Sequence, residues 1–394
     1  MKIAILSKYP FPQGMAATNR IKAYACGFKA NAVEVWAIIV EPTDSYCHYG
    51  DRLQNTGEYK GIKYVYPSGR YKDRRRWVRG VSLKSGYRFF YGIYSTLKII
   101  KREKFDTIII SNDTPVFLYA YSLLAKIIKA KVLFIFDEYP TPIRHKLKTD
   151  IPEYKKMLYH IVLKNFDGYV SISQKLADFY KGYANKPCML LSIIVNTDVF
   201  KEISGVKKKN KITYVGNMEL TKDNVDNIIT AFSMVAEKYP DYSLNFYGTP
   251  NRKTNEYLLQ LIQKNKLSDR VFLKGKVANE DVPKILGESK ILVSSQPKTK
   301  RAEGGFPTKL GEYVAMGVPT IICDVGENSK YLKPGKECIY AKPEDPYDFA
   351  DKIAFVINNY ELASAIAENG QKVIIDKYSH VAAGRRLKEF IESL

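Results

Sequence analysis

The sequence predicts an α/β protein of two doubly wound domains, each a parallel sheet covered by helices on both faces. Three observations carry that prediction. Short, fully apolar β-rich runs alternate with helix-period stretches, as in sheets buried on both sides. The alternation stops at a lysine-rich stretch near residue 201 and then restarts. At 394 residues the chain is also longer than one ordinary core requires.

Taken in order, the β-rich runs of the first half are Ile3–Leu6, Val33–Val40, Lys63–Tyr66, Thr107–Ile110, Val132–Phe136, Gly168–Ser171 and Met189–Ile194. Helix-period stretches between them include Thr18–Ala30, Phe117–Ala130, Pro152–Asn165 and Gln174–Tyr183. The polar stretch Lys201–Lys211 then reads as a linker. After it come strands at Ile212–Val215, Leu244–Tyr247, Val271–Lys274, Ile291–Ser294, Thr320–Cys323 and Cys338–Tyr340. Helices are expected at Val225–Tyr239, Thr254–Lys266 and Asp281–Glu288. The last segment, Ser379–Leu394, is an amphipathic helix with Ala382, Leu387, Phe390 and Ile391 on one side. The expected domains are 1–200 and 212–378, with helix 379–394 packing back on the first. Ligands of such sheets bind beyond the carboxyl ends of the strands, so site residues are sought just after strands.

Composition narrows the function classes. Five cysteines, none at CxxC spacing, argue against a disulfide framework and a zinc site, and no Asp-x-Asp sequence offers a metal ligand pair. With no signal peptide pattern and no apolar run long enough to span a membrane, the expected location is cytoplasmic. The formal charge of +21 calls for anionic partners: nucleic acid, an anionic membrane surface, or phosphorylated substrates.

The most informative segment follows the strand Ile291–Ser294. Gly304–Glu312 is a glycine-rich strand-to-helix turn with Pro307 in the first helical turn. Backbone N–H groups from Gly305 and Phe306 through Thr308 to Lys309, with the helix dipole and the Lys309 charge, suit a diphosphate. Glu312 lies about one turn in, where its carboxylate suits the vicinal hydroxyls of a ribose.

This segment resembles the donor motif of the family 4 (group 1) retaining glycosyltransferases of GT-B fold. Phe306, Glu312 and the Ala315–Pro319 run fit the motif. The first glutamate of the motif would fall at Gly304, and Glu303 stands one residue earlier. Either Glu303 takes that catalytic position or the donor sugar is held differently. The resemblance places the donor diphosphate on Gly216, Asn217 and Lys222. Lys222 matches in spacing, while Asn217 replaces an arginine, leaving Lys309 as the best-placed compensating cation. Val277 falls in the turn whose backbone reads the base in that family. Weaker similarities at Asp167–Ser173, Asn196–Phe200 and the terminal helix follow in the family's order.

In the first half, Gly14, Asn19 and Arg20 stand around the first strand-to-helix turn, as a candidate acceptor or phosphate loop. Asp137 and Glu138 follow the strand Val132–Phe136, where a carboxylate could bind acceptor or move a proton. From Arg70 to Lys104 there are twelve Lys or Arg against Asp73 and Glu103. Within this stretch Arg74, Arg75, Arg76, Trp77 and Arg79 suit an anionic membrane surface, with no nucleic-acid motif alongside.

The resulting expectation is a GT-B protein with two Rossmann-like domains facing a cleft. It would use a UDP- or GDP-type nucleotide sugar as co-substrate, a glycan or lipid-linked acceptor, and no metal or other cofactor. By resemblance it would retain anomeric configuration and serve surface polysaccharide synthesis at the inner face of the plasma membrane. The competing readings are a nucleotide-sugar epimerase of the same fold, and a basic membrane- or nucleic-acid-binding protein on an inactive scaffold.

Overall fold

The computed structural model describes residues 1–43, 54–71, 83–111, 114–140, 143, 150–201, 206–305 and 308–394. The chain divides into two compact units, Met1–Asn196 with His380–Leu394, and Thr197–Ser379. The first contains strands β1 (Lys2–Ser7), β2 (Glu34–Ile39), β3 (Thr56–Tyr59), β4 (Ile62–Val65), β5 (Thr107–Ser111), β6 (Lys131–Phe136), β7 (Gly168–Ser171) and β8 (Cys188–Leu190). They form one sheet in the order β3-β4-β2-β1-β5-β6-β7-β8. Every pairing is parallel except the β3–β4 hairpin. Apolar side chains of β1, β2, β5 and β6, including Ile3, Ile5, Ile39, Ile109 and Leu133, build the core.

The second unit holds β9 (Lys209–Val215), β10 (Ser243–Tyr247), β11 (Val271–Leu273), β12 (Ser289–Ser294), β13 (Thr320–Cys323) and β14 (Ile339–Ala341). This sheet is wholly parallel, in the order β11-β10-β9-β12-β13-β14. From β9 the chain winds outward through β10 and β11, then returns and winds the other way from β12. The topological switch point therefore lies between the carboxyl ends of β9 and β12. In sheets of this kind that is where a ligand crevice forms.

Three expectations need correction. The stretch 201–211 is not simply a linker: the unit boundary falls at Asn196 and Thr197, and Lys209–Lys211 open β9. These lysines can enter a strand because they lie at its start, where Lys209 and Lys211 reach Glu288 at 2.6 and 3.5 Å. The run Met189–Ile194 contributes only its first part to a strand, Cys188–Leu190. The antiparallel strand β3 was not foreseen, because Thr56–Tyr59 is polar and mostly exposed and so has no apolar signal.

The terminal helix, His380–Ser393, belongs to the first unit and buries Ala383, Leu387 and Ile391 in its core. It crosses the helix Ala16–Ala30 where Gly384 meets Gly27, and a Cβ on either would overlap backbone of the other helix. His380 N donates to Val195 O at 2.7 Å and Asn31 Nδ2 to Val381 O at 3.0 Å, fixing the start of the helix. Gly384→Val should therefore destabilise the first unit by about 1–3 kcal/mol through overpacking, as read from chemical denaturation. Among the described residues no helix is long and apolar enough to cross a membrane.

Candidate functional site

The loops after β9 and β12 meet at the switch point of the second unit. Behind β9 the chain passes Gly216 and Asn217, takes Met218 and Asn224 through left-handed backbone, and forms one short turn of helix at Leu220–Asp223. Behind β12 it runs through a short helix, Lys300–Gly304, capped by the Thr299 side chain on Ala302 N, and then into the helix Thr308–Ala315.

A buried ion pair joins the two loops. Lys309 Nζ lies 2.5 Å from Asp223 Oδ1 and donates to Tyr214 Oη at 2.6 Å, with the ammonium 4.2 Å from the centre of the Tyr214 ring. Asp223 is almost sealed, its side chain 3% exposed, while that of Lys309 is 20% exposed. Burial works to raise the Asp223 carboxyl, but the charge and hydrogen bond of Lys309, with the charge of Lys222, outweigh it and hold the carboxyl below its ordinary value. Burial and the neighbouring Asp223 charge keep the Tyr214 hydroxyl protonated. A second, looser bridge runs from Arg301 Nη1 to Glu219 Oε1 at 3.8 Å.

The backbone around this pair is tightly drawn. A Cβ on Gly216 would overlap the Lys309 ammonium, so the glycine lets that side chain pass beneath the loop. Gly216 N donates to Tyr247 O and Gly248 N to Gly275 O, both at 2.8 Å, stepping across the carboxyl ends of β9, β10 and β11. From helix 308–315, Tyr313 reaches back with its hydroxyl, accepting from Val215 N at 2.7 Å and donating to Val215 O at 3.2 Å. Deeper in the unit, Asn227 Nδ2 donates to Ser295 Oγ at 3.4 Å.

The site residues named from sequence fall as follows. Gly216, Lys222, Gly305, Thr308, Lys309 and Glu312 gather on these two loops of the second unit, all partly buried. Asn217 is exposed on the same loop as Gly216, and Val277 is half-buried in the turn after β11. The charge of Glu312 reaches both Lys309 and Tyr313. Glu303 sits on the short helix, with Lys300 Nζ 3.4 Å away. Phe306 and Pro307 lie outside the described residues, as do Arg74, Arg75, Arg76, Trp77 and Arg79.

Lys309 needs a correction in role. Its charge is already matched by Asp223, so it ties the two loops together rather than standing as a spare cation in place of the arginine that Asn217 replaces. Asp223, Tyr214, Tyr313 and Gly248 were missed from sequence. The only signals were the carboxylate directly after Lys222 and a glycine ending β10 as Gly216 ends β9.

In the first unit the structure brings Arg20 and Asp137 together, with Arg20 Nε and Asp137 Oδ1 2.9 Å apart. The Arg20 guanidinium also donates to Ser192 O at 3.0 Å and to Leu191 O, and it lies over the Tyr24 ring. With its side chain only 4% exposed, Arg20 cross-links the ends of β6 and β8 and is not presented to a phosphate. Gly14 precedes helix 16–30, its missing Cβ leaving room for Thr18, whose hydroxyl donates to Pro10 O at 2.8 Å. Asn19 lies in the first turn of that helix, and Glu138 is half-buried after β6. Among the described residues no group of three or more His, Cys, Asp or Glu side chains is placed to hold a metal ion.

Two α/β units with sheets of this topology make a GT-B fold. Solved structures share the fold over the whole chain. A sucrose-phosphate synthase from Thermosynechococcus elongatus superposes with a TM-score of 0.72 at 14% identity, covering 100% of this chain and 98% of that one. The Anabaena protein HepE, solved with UDP and glucose, gives 0.68 at 14% identity, with 100% of both chains covered. Residues 196–373 match the model of the family described as glycosyl transferases group 1. Among curated relatives, the mannosylfructose-phosphate synthase of Agrobacterium fabrum is 31% identical over 134 residues, which is 32% of this chain and 28% of that protein. The α-D-kanosaminyltransferase of Streptomyces kanamyceticus is 27% identical over 189 residues, 48% of this chain and 46% of that protein. The chain thus spans less than half the length of each of these relatives.

Proposed function

We propose that this protein transfers a glycosyl group from a nucleoside-diphosphate sugar to a glycan or lipid-linked acceptor, with the donor held at the β9–β12 switch point. The observation that carries the reading is the joining of the loops behind β9 and β12 by the buried Lys309–Asp223 pair, with Lys222, Glu312 and the start of helix 308–315 around it. The donor diphosphate is taken by the Thr308 and Lys309 amides and by Lys222. The Glu312 carboxylate takes the ribose hydroxyls. As the bond from the sugar C1 to the diphosphate oxygen breaks, the departing negative charge is stabilised by these fixed dipoles and by Lys222. Because Lys309 and Asp223 offset one another, they hold the loops in place without adding net charge. HepE, solved with UDP, favours a UDP-type donor, with GDP as the second candidate.

The proposal extends to retention of anomeric configuration, which proton NMR of the product would read. It extends also to independence from metal, which activity in excess chelator would read. Its setting would be surface polysaccharide synthesis at the cytoplasmic face of the membrane. Glu312→Ala should weaken nucleotide binding about 10–100-fold, the loss of one charge-assisted bidentate contact, in titration calorimetry with UDP or GDP. A folded wild-type protein that binds neither nucleotide would defeat the proposal.

A further inference from the structure

Half of the twenty exposed large apolar side chains among the described residues lie on three helices of the first unit, Leu83–Glu103, Pro115–Ile127 and Glu153–Val162. The helices follow β4, β5 and β6. Their connections run in the same direction across the sheet, so right-handed crossovers put all three on one face, opposite the terminal helix. The middle helix packs beside both others. Tyr119, Leu123 and Ile127 recur on one side of it, and Tyr154, Met157 and Ile161 on one side of its neighbour. Each is between 43% and 66% exposed. Both stripes keep helical spacing, yet point away from the core that such a stripe normally serves.

The charges around the stripes identify the occupant. In residues 115–131 and 153–167 there are six lysines and two carboxylates. One carboxylate, Asp167, is held by Lys126 at 2.5 Å, and the other, Glu153, by Lys156 at 2.8 Å. Lys129 and Lys164 stand exposed just beyond the ends of the two stripes. A second copy of this face would bring like charge against like, in a chain whose formal charge is +21. An anionic bilayer satisfies both features: tyrosine and aliphatic side chains enter the headgroup boundary while lysines meet lipid phosphates.

We propose that this three-helix face of the first unit docks on an anionic phospholipid surface. The proposal uses no residue of the Arg74–Arg79 segment and none of the donor-site residues. The test is co-sedimentation of the full chain with phosphatidylcholine vesicles containing about a third phosphatidylglycerol, against phosphatidylcholine alone. Wild type should partition onto the anionic vesicles and release as salt is raised. Leu123→Glu with Met157→Glu, both at exposed positions, should lower partitioning about tenfold or more while circular dichroism and the melting temperature stay unchanged. The proposal is overturned if wild type ignores anionic vesicles, or if the double variant binds them as wild type does. It is equally overturned if the variant instead abolishes a dimer seen in sedimentation velocity. No nucleotide or sugar enters the assay, so its failure would leave the glycosyl-transfer reading standing.

Discussion

Asp223→Ala should destabilise the second unit by about 3–5 kcal/mol, because it strands the Lys309 ammonium in a largely closed site. The ammonium would keep only the Tyr214 hydroxyl of the two partners that now hold it, and burial already pushes its proton affinity down. Removing both charges is a different experiment. Asp223→Leu with Lys309→Met replaces the pair by apolar side chains, and stability should return to within about 1–2 kcal/mol of wild type. Nucleotide binding should not return, since the link between the two loops is gone. Denaturant melts and UDP titrations of the single and double variants separate the two effects.

The same pair sets an acid limit. The Asp223 carboxyl is held below its ordinary value of 3.8 in the folded protein, so the unfolded chain takes up its proton first as pH falls. The stability it contributes is full above that ordinary value and is lost as pH drops through the lower folded value. In the apolar double variant this part of the acid limb should disappear, as measured by melts across the acid range.

Gly248→Ala should cost about 4 kcal/mol and displace the donor loop. Gly248 holds φ at +136°, a conformation alanine adopts only under strain, and a Cβ there would overlap the Gly216 carbonyl oxygen. Relief requires moving Gly216, whose N–H is bonded to Tyr247 O and beneath which Lys309 passes. A substitution after β10 should therefore weaken nucleotide binding although Gly248 lies outside the named donor contacts. Calorimetric titration with UDP beside a melt reads both losses.

Much of this architecture was legible because strands buried on both faces must be apolar throughout. Runs such as Ile3–Leu6, Val132–Phe136 and Thr320–Cys323 could hardly be anything else, and all lie within strands. The helix opening at Thr308 was legible for a local reason, since a glycine pair and a proline close ahead in sequence read as a helix start. What escaped was either polar or distant. The hairpin strand Thr56–Tyr59 shows no alternation. Asp223 and Lys309 stand 86 residues apart, and nothing in either segment alone predicts that they meet. The role of Arg20 was misread for the same reason: its partners Asp137, Leu191 and Ser192 are remote in sequence and become neighbours only at the ends of β6 and β8.

Hydrogen–deuterium exchange of the full chain with and without UDP tests the central claim most directly, with GDP as the parallel run. The donor site placed at the β9–β12 switch point predicts nucleotide-dependent protection in 214–224 and 303–313, absent in Glu312→Ala. Protection confined to residues 1–196, or a bound nucleotide that leaves both loops unprotected, would contradict it.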